Sequence, residues 1–184
     1  MHLLARCATR LLLLALLTPF PASATMIRYQ VTDLANEVAG DDLWSYTYDV
    51  SGFTFTANTG FTIYFDVEFF SDLEDPPPFV HDDWDVLALQ PDAVLAAQGA
   101  YDALALVDGP SLAGPFTLRF VWLGGPGTAP DSQPFDVNEF DSAGNLLRTL
   151  ESGTTVPEPS SAVLLVIGLC MLRRNPARPF GNES

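Results

Sequence analysis

Between Phe61 and Phe69 every second side chain is large and apolar: Phe61, Ile63, Phe65, Val67 and Phe69 alternate with Thr62, Tyr64, Asp66 and Glu68. A period of two places the first set on one face of an extended strand and the second set on the other, a separation no helix achieves. A chain built on this pattern folds as sheets with one dry face each. The pattern recurs in Leu43–Val50, where Trp44, Tyr46, Tyr48 and Val50 oppose Ser45, Thr47 and Asp49, and Phe53-Thr54-Phe55-Thr56 resumes it after a Ser51-Gly52 turn. In Phe116–Leu123, Phe116, Leu118, Phe120 and Trp122 oppose Thr117 and Arg119.

Shorter segments at Ile27–Leu34, Trp84–Leu89 and Tyr101–Val107 have the same character. Pro134–Phe140 and Leu146–Leu150 flank the turn formers Asp141-Ser142-Ala143-Gly144-Asn145 and read as a hairpin. Asp108-Gly109-Pro110, Gly114-Pro115 and Gly124-Gly125-Pro126-Gly127 break the chain too often for a long helix, and only Asp92–Gln98 suggests a helical turn. Eight or nine short strands predict an all-β fold, an antiparallel β-sandwich of jelly-roll or immunoglobulin-like kind.

Charge narrows the function classes. All eight basic residues are arginine, and only Arg28, Arg119 and Arg148 lie between residues 25 and 156, against 21 acids. A body with that imbalance repels phosphate backbones, so nucleic acid is excluded as a partner, while the charge itself keeps an exported protein soluble. Cys7 and Cys170 both lie outside the strand-rich stretch, so packing alone must hold it.

The two ends carry a different chemistry. Arg6 and Arg10, the apolar Leu11–Leu17 and the small residues Ala22-Ser23-Ala24 have the order of a secretory signal peptide over residues 1–24, cleaved after Ala24. The strand-rich body then runs over residues 25–152, and residues 153–160 read as a linker. Within that linker Pro157 and Pro159 hold the backbone extended and present Glu158 on a stiff tripeptide. Residues 161–172 read as a short hydrophobic, transmembrane-like helix around Ala162–Leu172. Residues 173–184 form a tail in which Arg173, Arg174 and Arg178 stop transfer and stay on the cytoplasmic side.

This order of Pro157-Glu158-Pro159, apolar run and arginines resembles the PEP-CTERM sorting signal of Gram-negative bacteria. The resemblance implies a partner, the membrane-embedded cysteine protease exosortase, and processing at or near Pro157–Pro159. It further implies an inner-membrane-tethered intermediate and delivery of the body to the periplasm, the outer surface or an exopolysaccharide-rich biofilm matrix. The body, with its Gln133-Pro134-Phe135-Asp136 stretch, is similar to the aromatic-rich and Asp-rich β-domains that precede such tails.

Catalytic chemistry is thin. His81 is the one histidine after residue 24 and sits beside Pro76-Pro77-Pro78, and no Gly-x-Ser-x-Gly elbow occurs, so a nucleophilic triad is not expected. Acids are too many for any spacing to single out a glycosidase pair. One cluster stands out: Asp72, Glu74, Asp75, Asp82, Asp83 and Asp85 flank the Pro-rich rod, and Ca²⁺ is the cofactor that such a loop of oxygens would take. The expected function is that of a non-enzymatic exported surface or matrix protein. The alternative is a secreted carbohydrate-binding, lectin-like module, calcium-assisted where the acidic loop takes the ion, in which exposed aromatics such as Trp84, Tyr64 or Trp122 stack on sugar rings beside carboxylates; it requires two or more aromatics exposed on one face, whereas strand periodicity places most of them in the core.

Overall fold

A computed structural model describes residues 24–74, 82–125 and 127–159, and these contain no helix. Ten strands follow one another: β1 (Met26–Asp33), β2 (Leu43–Ser51), β3 (Thr59–Phe65), β4 (Phe70–Glu74), β5 (Trp84–Leu89), β6 (Gly99–Ala105), β7 (Phe116–Trp122), β8 (Pro134–Phe140), β9 (Leu146–Thr154) and β10 (Val156–Pro157). They make two five-stranded sheets, ordered β10-β1-β2-β7-β4 and β5-β6-β3-β8-β9. Pairings are antiparallel except that of β10 with β1, which is parallel.

The core lies between the sheets and is built from the inward half of each alternating run. Phe61 of β3 meets Phe116 of β7 edge to face at 5.0 Å, Phe65 meets Phe70 of β4 at 5.2 Å, and Tyr48 of β2 meets Tyr101 of β6 at 6.3 Å. Each pair joins one sheet to the other, and such ring contacts add about 0.5–1.5 kcal/mol apiece to the burial of their area. Trp84 closes one end of this stack against Phe55, Phe61 and Phe116, with its indole N–H donated to the Ser111 carbonyl at 2.9 Å.

Several expectations are corrected. The run from Phe61 to Phe69 is not one strand. The Asp66 side chain accepts the Glu68 N–H at 2.9 Å and its carbonyl accepts those of Phe69 and Phe70 at 3.0 Å, so a tight turn carries the chain from one sheet to the other. Phe70, not Phe69, therefore enters the core. Phe53–Thr56 forms no strand because it is the crossover between β2 and β3, although Phe55 still points inward. Asp92–Gln98 is a loop closed by an Asp92–Ala97 bridge, with Ala96 at φ 50°, rather than a helical turn. The expected linker over residues 153–160 is not free where it is described: β9 extends to Thr154 and β10 docks on β1.

Candidate functional site

At the end of the sandwich where β2 begins and β7 finishes, the inward rows end in partly exposed aromatics. Trp122 is the last inward residue of β7, and its backbone N–H is held by the Asp42 carbonyl at 2.7 Å. Phe69, displaced to the surface by the Asp66 turn, stacks on the Trp122 ring with centroids 5.8 Å apart and planes 24° apart, while Phe70 approaches edge-on at 5.2 Å. The indole N–H is donated to Thr128 Oγ1 at 2.9 Å, and that hydroxyl is donated to the Gly125 carbonyl at 2.7 Å. Gly124 lies so close to the indole that a Cβ there would overlap Trp122 Cζ2. The ring is thus fixed by its loop rather than left to rotate.

Trp122 forms a wall of two clefts. One, of about 720 Å³, is lined by Asp33, Asp42, Trp44 and Thr128 among others. The second, of about 350 Å³, is lined by Tyr64, Asp66, Phe69, Gln98, Asp131 and Gln133 around the same indole. Their walls combine flat apolar rings, carboxylates and side-chain amides, and none of the lining residues is basic.

The floor beside the smaller cleft is a buried polar hub. Gln133 Nε2 donates to the Tyr46 hydroxyl at 2.6 Å and also to the Asp131 carbonyl, while Tyr48 donates to Gln133 Oε1 at 3.3 Å. Tyr46 in turn donates to the Asp131 carbonyl at 2.6 Å, and Tyr29 donates to Asp131 Oδ1 at 3.0 Å. Burial, assisted by the hydrogen bond and negative charge of Asp131, pushes the Tyr29 phenol up to about 12. Burial likewise drives Tyr46 and Tyr48 upward, with the other phenols adding to the effect. These three hydroxyls are neutral donors at any ordinary pH.

The outer face of the second sheet carries a polar ladder. Thr62 donates to Asp102 Oδ1 at 2.6 Å and accepts from Asn138 at 3.2 Å, and Thr149 donates to Asn138 Oδ1 at 2.9 Å. Tyr64 donates to Asp136 Oδ2 at 3.0 Å, and Ser152 to Oδ1 of the same carboxylate at 2.6 Å. Desolvation raises the Asp102 carboxyl above its usual range, opposed by the Thr62 bond and helped by Asp85.

The sequence candidates fall in different places. Trp84 is a core residue, Tyr64 lines the smaller cleft with its hydroxyl on Asp136, and Trp122 lines both clefts. Asp72 and Glu74 lie on β4 in one sheet, whereas Asp85 lies on β5 in the other. Asp72 and Glu74 share a small cleft with Glu37, Asp41 and Arg119, where the Arg119–Glu37 pair at 2.9 Å already supplies the cation. Asp83 Oδ2 accepts the Ser111 N–H at 2.9 Å. Among the described residues no three metal-ligating side chains come together. Asp75 and His81 lie outside the described residues, as do Ala22, Ala162–Leu172, Arg173, Arg174 and Arg178, while Ala24 is exposed and precedes β1.

Pro157-Glu158-Pro159 has a definite position. Val156 and Pro157 pair with Arg28 and Tyr29, the Glu158 N–H is donated to the Tyr29 carbonyl at 2.9 Å, and Gln30 Nε2 donates to Glu158 Oε2. Both prolines are exposed and Glu158 is half-buried, so the motif lies extended on the edge of the first sheet. Sequence reasoning missed Phe69, Trp44 and Gln133 as cleft residues; the Asp66 turn signal was the one available clue to Phe69. No protein-family model matches the chain, and no curated protein matches its sequence.

Proposed function

We propose that the chain is an exported, non-enzymatic surface or matrix protein whose body is an immunoglobulin-like sandwich sorted through Pro157-Glu158-Pro159. The observation that supports this reading is how the tripeptide is presented: Pro157 pairs with Tyr29, the Glu158 N–H is donated to the Tyr29 carbonyl, and both prolines are exposed, so the stretch that resembles a sorting signal lies extended on the surface of the body. The strand order β1-β2-β7-β4 against β9-β8-β3 supports the immunoglobulin-like over the jelly-roll arrangement, with the β5–β6 hairpin as an addition beside β3. In this reading the membrane and exosortase are transient partners of the apolar tail, and Arg173, Arg174 and Arg178 hold its end in the cytoplasm. The intact mass of the exported protein tests it: termini at Thr25 and near Pro157–Pro159 support the reading, and a retained tail overturns it.

A second reading adds glycan binding at the Trp122 end. The Phe69–Trp122 stack supports it, since Phe69 keeps 42% of its surface exposed and both rings line the cleft of about 350 Å³. The acids around it favour neutral or amino sugars over polyanions. Titration of neutral polysaccharide against tryptophan fluorescence tests this, with Phe69→Ala and Gly124→Ala expected to weaken binding at least tenfold, and an unchanged affinity in both ruling the site out.

A further inference from the structure

The nitrogen of Thr25 is held 2.8 Å from Glu151 Oε2. Thr25 opens into β1 of the first sheet and Glu151 belongs to β9 of the second, so this bond bridges the two sheets at their margin. Ala22-Ser23-Ala24 places the expected leader cleavage on the peptide bond that contains this same nitrogen. We propose that leader removal converts the Thr25–Glu151 hydrogen bond into an ammonium–carboxylate clamp between the sheets, so that maturation itself tightens the sandwich. The inference rests on the export reading above.

The chemistry is hydrolysis by a leader-removing peptidase. The bond between the Ala24 carbonyl carbon and the Thr25 nitrogen breaks, water supplies the hydroxyl of the new Ala24 carboxylic acid and a hydrogen for the Thr25 amine, and at neutral pH the acid releases a proton while the amine takes one up. Before cleavage the nitrogen is a neutral amide that gives Glu151 one hydrogen bond. Afterwards it carries a full positive charge at the same distance, and charge-assisted bonds are about twice as strong as neutral ones. Contacts to Thr25 already hold the Glu151 carboxyl below its usual range, so the acceptor is ionised when the ammonium appears.

A feature of the composition makes the clamp testable: the chain has no lysine, so the terminal amine is its only primary amine. Acetylating it restores the neutral amide that the leader provided and changes nothing else at this position. The full chain is produced with its leader in an exporting Gram-negative host, its N-terminus is identified by mass, and melting is compared before and after acetylation in wild type and Glu151→Gln. A wild-type midpoint lowered by about 1–4 °C, with no change in Glu151→Gln, supports the clamp. Salt at about 1 M should reduce the wild-type difference without a substitution, though not remove it, since the 2.8 Å pair lies within the Debye length of about 3 Å. A chain that begins at Thr25 but responds equally in both proteins, or in neither, or equally at high salt, overturns the clamp and leaves export standing. A chain cut at another bond of the leader overturns the clamp alone, and one that keeps its leader overturns both.

Discussion

Gln133 and Thr155 hold each other by reciprocal hydrogen bonds: the Gln133 N–H is donated to Thr155 Oγ1 at 2.9 Å and the Thr155 N–H to the Gln133 carbonyl at 2.8 Å. Both residues are buried, and Thr155 stands directly before the strand that carries the Pro-Glu-Pro motif. The pair therefore links the floor of the smaller cleft to the path of the C-terminal segment. Thr155→Val keeps the shape but strands the buried Gln133 N–H, with an expected loss of about 1–3 kcal/mol in urea unfolding, whereas Thr155→Ser should lose under about 1 kcal/mol.

Alkaline pH should unfold the protein through its tyrosines. Burial lifts the folded-state phenol of Tyr29 to about 12 and those of Tyr46 and Tyr48 upward as well, while an unfolded phenol ionises near 10. A raised folded value means that the stability tied to these neutral phenols is fully present below about pH 10. It is lost as pH climbs through the folded values. Phenolate absorbance should show some tyrosines ionising only together with the loss of the fold, and smooth independent titration of all five would contradict the hub.

Asp102→Asn should raise the melting temperature at neutral pH. The folded carboxyl is raised, so the wild type is relatively most stable below about pH 3.8, where it is protonated in both states, and that advantage fades as pH rises. The amide can still accept from Thr62 and removes the repulsion from Asp85. The gain should shrink as the melt is repeated toward pH 3; a variant less stable than wild type at neutral pH would contradict this.

Phe65 and Phe69 test the corrected phase of the chain. Phe65→Ala opens the core between the sheets and should reduce stability by about 3–5 kcal/mol, and Phe65→Asp should prevent folding. Phe69→Ala should change stability by about 1 kcal/mol or less while shifting the emission of Trp122, on which it stacks. Equal losses at the two positions in thermal unfolding would mean that the single-strand expectation was right.

Most of the core was legible because alternation reports directly on which side chains share a face. Trp44, Tyr46, Tyr48, Phe116, Leu118 and Phe120 all fall where a period of two places them. Alternation does not say which sheet a strand joins, so it ran through Asp66, where a side chain bonding to its own backbone reverses the chain. Of the acids that flank the Pro-rich loop, Asp72 and Glu74 lie on β4 and Asp85 on β5, strands of different sheets, an assignment that alternation along the sequence does not report. The tail segment was the hardest to read. Glycine and proline marked it as linker, yet β9 is ordered by its pairing with β8, and β10 by β1, more than a hundred residues earlier.

The parallel docking of β10 gives the position of any cut a physical meaning. A backbone edge left bare invites another chain to lie along it. Severance after Pro159 would keep β10 on the Arg28–Tyr29 part of that edge, whereas severance ahead of Val156 would leave the same backbone groups open to another strand.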